Sequence, residues 1–393
     1  MPFSTPSLRL TGARVLCDSM LADTAISVVY GVIAEHGGPD LDLAGYLVMP
    51  GIIDLHGDAF EHHMAPRPSA PFPLHTGLVG TDRDAAANGV TTAWMAQSWS
   101  WEGGHRSPDY AERFFEAHAA YRPQMQTDLR IQVRCETHTM DSEARLIAAV
   151  HDYGIDYVIF NNHLDEALEL AAARPDQIMV WANKAGRTPK EHMALVHSAK
   201  ARDAEVPRYL CNLATVFDRL GIRYGSHDDG DGATRERYSM IGAKVCEFPT
   251  SMAAALVART WGDPVLMGAP NVVRGGSQSG NIAATMLIAE GACDALVSDY
   301  YYPALAQSAF ALSDAGMLSL PEAWAMISST PARIMGLSDR GTLEVGRRAD
   351  LTIINAETRQ VEATMVAGRW THLCGEVAAR LSQSYAGLSV AAE

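Results

Sequence analysis

Short apolar segments alternate with helical segments along most of the chain, from residue 51 to residue 337. Each apolar segment has the length of a strand and is followed by a stretch with helical periodicity, such as residues 110–121. Strands are predicted at residues 51–56, 90–95, 129–135, 157–160, 177–181, 222–225, 243–248, 264–267 and 295–297. About eight strand–helix repeats predict an α/β fold of the (β/α)8 barrel type. A doubly wound open sheet is the main rival, but no Gly-x-Gly-x-x-Gly motif follows an early strand.

The two ends of the chain have a different character from its middle. Residues 25–33 and 341–354 read as β-structure interrupted by glycine-containing turns. A (β/α)8 barrel takes about 250 residues, so a chain of 393 residues has room for a second module. We therefore expect a barrel over residues 50–340 and a small β-sandwich domain built from residues 1–49 and 341–393.

Composition limits the class of partner. Apolar residues make up 48% of the chain and charged residues 20%, which is typical of a folded globular protein. The formal charge of −15 argues against nucleic acid or an anionic membrane as the main partner. No apolar run approaches the length of a membrane span, and no signal-like segment opens the sequence. We expect a cytoplasmic homo-oligomer that acts on a small molecule.

Polar side chains follow several of the predicted strands at the point where each strand ends. Side chains at the carboxyl ends of barrel strands converge on one mouth, although they are far apart in sequence. Histidine and carboxylate groups are also the usual ligands of divalent metals such as zinc. The strand-end residues are His56, Asp58, Glu136, His163, His227 and Asp299.

These residues predict a binuclear metal centre. In this hypothesis His56 and Asp58 bind one divalent ion, His163 and His227 bind the other, and Glu136 bridges them. The ions are expected to be zinc, with manganese, iron or nickel as alternatives. A hydroxide held by the metals would be the nucleophile of a hydrolase, with Asp299 as the proton acceptor. His138 competes with Glu136 for the ligand role.

Two loops and one short segment suggest substrate binding. The loop at 61–68 contains His63 and Arg67, and the glycine-rich stretch at 267–281 contains Arg274. Arginines and small residues of this kind can bind phosphate oxygens, although exposed arginines on a flexible loop would look the same. Lys184 is a further candidate cation.

Four segments resemble the amidohydrolase superfamily. They are residues 48–56 (VMPGIIDLH), 298–299 (SD), 330–337 (TPARIMGL) and 341–350 (GTLEVGRRAD). The resemblance implies a metal-dependent hydrolase with a barrel and a β-sandwich.

Within that superfamily the chain is similar to the alkylphosphonate-utilisation protein M group of the carbon–phosphorus lyase pathway. The similarity rests on residues 54–58 (DLHGD), 61–68 (EHHMAPRP), 134–136 (RCE), 226–229 (SHDD), 247–250 (EFPT), 267–276 (MGAPNVVRGG) and 298–301 (SDYY). It implies hydrolysis of α-D-ribose 1-methylphosphonate 5-triphosphate to the 5-phosphate and diphosphate. Most amidohydrolases carry histidine where this chain has Asp58, which gives the first metal a more oxygen-rich set of ligands.

Two other functions stay open at this point. The same metal-activated water could hydrolyse a C–N bond in a cyclic or acylated amine. The barrel could also be a non-catalytic subunit of an assembly.

Overall fold

The structure is a computed structural model that describes residues 7–17, 19–67, 70–277 and 279–390. The amino-terminal part of the chain is made of short strands. They are β1 (Leu8–Thr11), β2 (Arg14–Cys17), β3 (Met20–Asp23), β4 (Ile26–Val29), β5 (Val32–Ala34), β6 (Asp40–Asp42) and β7 (Tyr46–Pro50).

The central part forms a nearly closed parallel barrel, which confirms the predicted fold class. Its strands pair in chain order, each with the next, as βα repeats require. Backbone hydrogen bonds close the ring between the last and first strands, from Asp299 N to His56 O (3.1 Å) and from Asp58 N to Asp299 O (2.7 Å). The barrel strands are β8 (Ile52–Gly57), β9 (Val90–Trp99), β10 (Asp128–Glu136), β11 (Tyr157–Asn161), β12 (Arg223–His227), β13 (Val245–Glu247), β14 (Val265–Gly268) and β15 (Ala295–Val297).

Each barrel strand is followed by at least one helix. The helices are α1 (Phe60–Met64), α2 (Leu74–Ala87), α3 (Pro108–Tyr121), α4 (Glu143–Asp152), α5 (Leu164–Ala173), α6 (Pro175–Lys184), α7 (Pro189–Lys200), α8 (Val206–Leu220), α9 (Gly232–Met240), α10 (Met252–Trp261), α11 (Ala269–Arg274), α12 (Ala284–Ala289), α13 (Ala304–Asp314), α14 (Leu320–Ala325), α15 (Ser329–Met335) and α16 (Gly375–Val390). Among the described residues, none of these helices has the length and apolarity needed to cross a bilayer.

Strands from both chain ends form two further sheets. The carboxyl-terminal strands β16 (Leu351–Asn355), β17 (Val361–Val366) and β18 (Arg369–Leu373) join β7, β2 and β3, while β5, β4, β1 and β6 form the other sheet. Leu10 and Val28 from one sheet pack in the same buried cluster as Val48 and Ile353 from the other. This packing matches the predicted β-sandwich, and the exact domain limits stay a prediction.

One predicted strand is wrong. Residues 177–181 lie inside α6, between β11 and β12, in a helical insertion made of α5, α6 and α7. The run Ile178-Met-Val-Trp181 looks like a strand because it is continuously apolar. Pro175 starts the helix, and Ile178 and Ala182, four residues apart, are its buried positions.

The alternation of β10 decides which side chains enter the barrel. Val133 and Cys135 belong to the core between barrel and helices, so Gln132, Arg134 and Glu136 face the interior. The first barrel strand, β8, departs from this alternation, because its pairing with β9 shifts register between residues 54 and 57. The register of this strand end therefore cannot be obtained from simple alternation.

Candidate metal centre

A cavity of about 240 Å³ lies at the carboxyl ends of the barrel strands. Four of the strand-end residues singled out from the sequence line it together, namely His56, Asp58, His227 and Asp299. They come from three parts of the chain: His56 and Asp58 from the end of β8, His227 from the end of β12 and Asp299 from the turn after β15. The convergence expected from the barrel therefore applies to these four side chains.

His56 and His227 form the centre of the site. Their ring centroids are 5.1 Å apart, and Phe248 packs against both rings. In each ring Nδ1 faces a carboxylate: His56 Nδ1 lies 2.8 Å from Glu247 Oε2, and His227 Nδ1 lies 2.9 Å from Asp228 Oδ2. A carboxylate at Nδ1 favours the tautomer with the proton on that nitrogen and leaves the lone pair of Nε2 available. This is the usual arrangement of a metal-binding histidine.

Glu247 is a buried residue that was not among the predicted site residues. Its Oε1 accepts hydrogen bonds from Gln132 Nε2 and Tyr157 OH, both at 2.7 Å, and its Oε2 faces His56. The side chain is fully buried and is not among the described residues lining the cavity. Glu247 ends β13 in the structure, whereas the predicted strand at 243–248 placed it inside the strand.

The electrostatics of the two histidines differ. Burial lowers the pKa of His227, which favours the neutral ring that a metal needs. Burial also opposes protonation of His56, but the Glu247 carboxylate outweighs it and raises the pKa of that ring. A metal ion at Nε2 would have to displace this proton, so binding at His56 is expected to release a proton.

Asp299 lies on the wall of the same cavity. Its backbone has a positive φ of 55°, a conformation that is uncommon outside glycine and is often found at functional sites. The preceding Ser298 donates from N and Oγ to the buried Asp54 carboxylate, at 2.8 and 2.6 Å, and this holds the turn. Burial, together with the nearby charge of Asp58, raises the pKa of Asp299 to about 7. A carboxyl group of this pKa can both accept and return a proton near neutral pH.

Gly268, at the end of β14, gives the Asp299 side chain its space. A Cβ atom at this position would lie 3.2 Å from Asp299 Oδ2 and 3.3 Å from the Phe248 ring. Both separations are shorter than ordinary carbon contacts, so a side chain at position 268 would displace the Asp299 carboxylate or the Phe248 ring.

Glu136 and His163 lie together in a second cluster. His163 Nδ1 is 2.8 Å from Glu136 Oε1 and 3.0 Å from Glu102 Oε1, and Asn161 Nδ2 donates to Glu136 Oε1 at 2.9 Å. The two carboxylates raise the pKa of His163 against the effect of burial. In this arrangement the protonated ring takes the place that a metal cation would fill.

The grouping of the predicted ligands differs from the one expected. His227 lies beside His56, whereas the sequence hypothesis placed it with His163. Glu102, which the sequence reasoning missed, joins Glu136 and His163, and Arg106 Nη1 pairs with it at 2.9 Å. The competing ligand His138 is engaged elsewhere, with Nε2 2.8 Å from Asp203 Oδ1.

Of the four predicted substrate-binding residues, Arg274 reaches the cavity. It ends α11 on the cavity wall, and its Nη1 donates to Tyr300 OH at 3.1 Å. His63 instead faces α2, with Nε2 3.2 Å from Asp84 Oδ2, and Arg67 is exposed in the loop after α1. The side chain of Lys184 lies outside the described part of the structure.

The donor sets fit divalent metal ions. Ligand atoms of His56, His227 and Glu247 lie within 4.8 Å of one another, and so do those of Glu102, Glu136 and His163. Mixed nitrogen and oxygen donors of this kind suit zinc and other borderline divalent ions. We assign Glu247 to the support of His56 because its Oε1 accepts two hydrogen bonds within the protein and its Oε2 lies 2.8 Å from His56 Nδ1.

Comparison with known proteins finds relatives of this chain. The amidohydrolase family model matches residues 299–372. The chain is 30% identical over 334 residues to the alpha-D-ribose 1-methylphosphonate 5-triphosphate diphosphatase of Escherichia coli (strain K12), covering 82% of this chain and 86% of that protein.

Solved structures share the fold at low identity. A crystal structure of an amidohydrolase superposes with a TM-score of 0.63 at 13% identity, covering 94% of this chain and 99% of the other. The N-acetylglucosamine-6-phosphate deacetylase of Pasteurella multocida gives a TM-score of 0.61 at 12% identity, covering 93% and 99%. The chain therefore belongs to the amidohydrolase superfamily and, within it, to the family of the Escherichia coli diphosphatase.

Proposed function

We propose that this protein is a metal-dependent hydrolase that converts α-D-ribose 1-methylphosphonate 5-triphosphate to the 5-phosphate and diphosphate. The observation that carries the proposal is the cavity itself, where two oriented histidines, carboxylates and two arginines meet at one barrel mouth. The reaction is that of the Escherichia coli relative, which shares 30% identity over most of both chains.

Two divalent metal ions fit the proposal. His56, His227 and Asp58 would hold one, and Glu136, His163 and Glu102 would hold the other. When bound, such ions supply Lewis acidity and lower the pKa of water toward neutrality. Zinc is the expected ion, and the oxygen-rich donor set also suits manganese or iron.

The protein's own residues supply orientation and proton transfer. Glu247 and Asp228 hold the two imidazoles with Nδ1 protonated, so that Nε2 of each ring stays available. Asp299 accepts the proton of the attacking water at its carboxylate and returns it to the leaving oxygen. In the overall reaction water adds across the α–β phosphoanhydride bond, the bridging oxygen leaves with the β and γ phosphates, and diphosphate is released.

Cations in the cavity suit a substrate with several negative charges. Arg274 lies at its exposed wall, and the glycine-rich residues 275–276 follow it directly. Guanidinium groups bind phosphate oxygens through paired hydrogen bonds. A neutral cyclic amide would make no comparable use of these charges.

A side-by-side assay tests the proposal. Metal-loaded protein would be incubated with the ribose triphosphate and, separately, with a panel of cyclic and acylated amines, each with and without a chelator. We expect diphosphate release that the chelator abolishes, and no comparable turnover of any amide. Cleavage of an amide without diphosphate release would refute the proposed substrate, and a protein that binds no stoichiometric metal and hydrolyses neither class would indicate a non-catalytic barrel.

A further inference from the structure

Arg134 is a buried arginine in the wall of the cavity. It lies on β10, two residues before Glu136, and its backbone pairs with β9 on one side and β11 on the other. The residue is 8% exposed. A side chain on a doubly paired strand is held more firmly than one on a loop, so the guanidinium has a well-defined position beside the metal-centre residues.

The hydrogen bonds of Arg134 are incomplete. Its Nε is buried and has no hydrogen-bond partner among the described residues. Its nearest carboxylate is Asp58, with Nη1 3.7 Å from Oδ2, which is too long for a hydrogen bond. Burying a charged group without hydrogen bonds is costly, and structures keep such groups mainly where they have a task.

Two other buried arginines of the same chain provide the comparison. Arg235 is fully buried and donates to Ser226, Ser239 and the backbone oxygens of Ala243 and Val245. Arg340, 7% exposed, donates to Thr92, Asp128 and Asp339. Both are structural arginines whose donors are used within the protein. Arg134 differs from them because its buried Nε has no hydrogen-bond partner among the described residues and its Nη1 lies 3.7 Å from the Asp58 carboxylate.

The cavity around Arg134 is rich in carboxylates. Asp58, Asp228 and Asp299 line it, and Arg134 is close enough to act electrostatically on Asp228 and Asp299. The other cavity arginine, Arg274, is exposed and bonded to Tyr300. Arg134 is thus a buried cation that acts electrostatically on both histidines and on Asp299, whereas Arg274 lies on the exposed part of the cavity wall.

We propose that Arg134 is a catalytic residue that binds oxygens of the phosphoryl group undergoing attack. This inference rests on the proposed function, because it assumes that the ligand of the cavity carries phosphoryl groups. The planar guanidinium would donate to two oxygens of that group and stabilise the negative charge that builds up during attack. Arg274 would hold the departing diphosphate.

The experiment uses Arg134→Gln and Arg134→Lys in the metal-loaded full-length protein, with Arg83→Gln on the exposed side of α2 as the matched control. We expect Arg134→Gln to lower kcat by about 10²- to 10³-fold, the usual effect of removing one such donor. The lysine variant keeps the positive charge but lacks the planar pair of N–H donors, so its kcat is expected to fall by at least about tenfold. Metal content should equal that of the parent in all three variants.

Two results would overturn the proposal. A lysine variant with full kcat would make Arg134 a simple counterion of Asp58. A glutamine variant within twofold of the parent kcat would give the guanidinium no role in the reaction. If Arg134→Gln does not fold, the lysine variant alone decides.

Binding of inorganic diphosphate, measured by calorimetry, separates this inference from the proposed reaction. If the parent hydrolyses no triphosphate, the proposed reaction fails, but Arg134 is still tested. At least a tenfold loss of diphosphate affinity in Arg134→Gln would support a phosphoryl-binding role, and unchanged affinity would refute it.

Discussion

Replacing Glu247 by glutamine should weaken metal binding at His56, although residue 247 is not itself a proposed metal ligand. The carboxylate has three partners at 2.7 to 2.8 Å: Gln132 and Tyr157 donate to Oε1, and His56 Nδ1 faces Oε2. In the variant the amide oxygen is expected to keep the two donors, so the NH₂ group turns toward His56. Nδ1 must then accept a hydrogen bond, and the proton moves to Nε2, the atom that should bind the metal.

The size of this effect follows from the loss of orientation. Changing the partner that orients a metal-binding histidine typically costs 10- to 100-fold in metal affinity. At about 1.4 kcal/mol per tenfold, this is roughly 1.4 to 2.8 kcal/mol. The full burial of Glu247 favours the upper part of this range, because no water is available to restore the original tautomer.

The assay is competition between protein and a chromophoric chelator for zinc, with unfolding monitored in parallel. Tyr157→Phe is the matched control, because it removes one hydrogen bond to Oε1 and leaves the carboxylate charged. We expect this control to lose about 1 kcal/mol of stability and to change zinc affinity less than threefold. A folded Glu247→Gln variant whose zinc affinity stays within twofold of the parent would refute the role of Glu247.

Three further predictions follow from other parts of the molecule. Asp299→Asn should abolish diphosphate release with metal content unchanged, and full activity would remove Asp299 from the mechanism. Arg235→Met should lower the free energy of unfolding in urea by about 3 to 5 kcal/mol, because it removes the buried guanidinium that pairs with the buried Asp229 and Asp263 carboxylates; a loss below about 1 kcal/mol would contradict this. Burial lowers the pKa of His118 in the folded state. The parent protein therefore has its full stability above the ordinary histidine pKa and loses stability as the pH falls. The stability of His118→Gln relative to the parent should therefore rise as the pH falls from about 7.5 to 5.5. Parallel plots of unfolding free energy against pH for the two proteins would refute this.

The fold could be predicted because its signal repeats. Most barrel strands contain a short apolar run, and a residue or two of error at an end does not change the topology. The exception, residues 177–181, shows the limit of this signal. A four-residue apolar run is the same for a strand and for one side of a short helix, and Pro175 was the cue that distinguished them.

The site could be predicted only in part. Strand ends point to one mouth in any barrel, so His56, Asp58, His227 and Asp299 could be placed there from their positions in the sequence. Which of them are neighbours depends on strand register and side-chain direction, and the register shift after Asp54 is not visible in the sequence. Glu102 and Arg134 were missed because Glu102 lies in the loop that follows β9 and Arg134 lies within β10. The homo-oligomer stays a prediction.

Hydrolysis as proposed requires a metal ion held by the histidine pair at the barrel mouth. The most direct test is a crystal structure of zinc-loaded protein with anomalous scattering, combined with metal analysis of active and chelated samples. We predict an anomalous peak within bonding distance of Nε2 of both His56 and His227, and loss of diphosphate release when that metal is removed. A protein that releases diphosphate with no metal bound at these two rings would contradict the account.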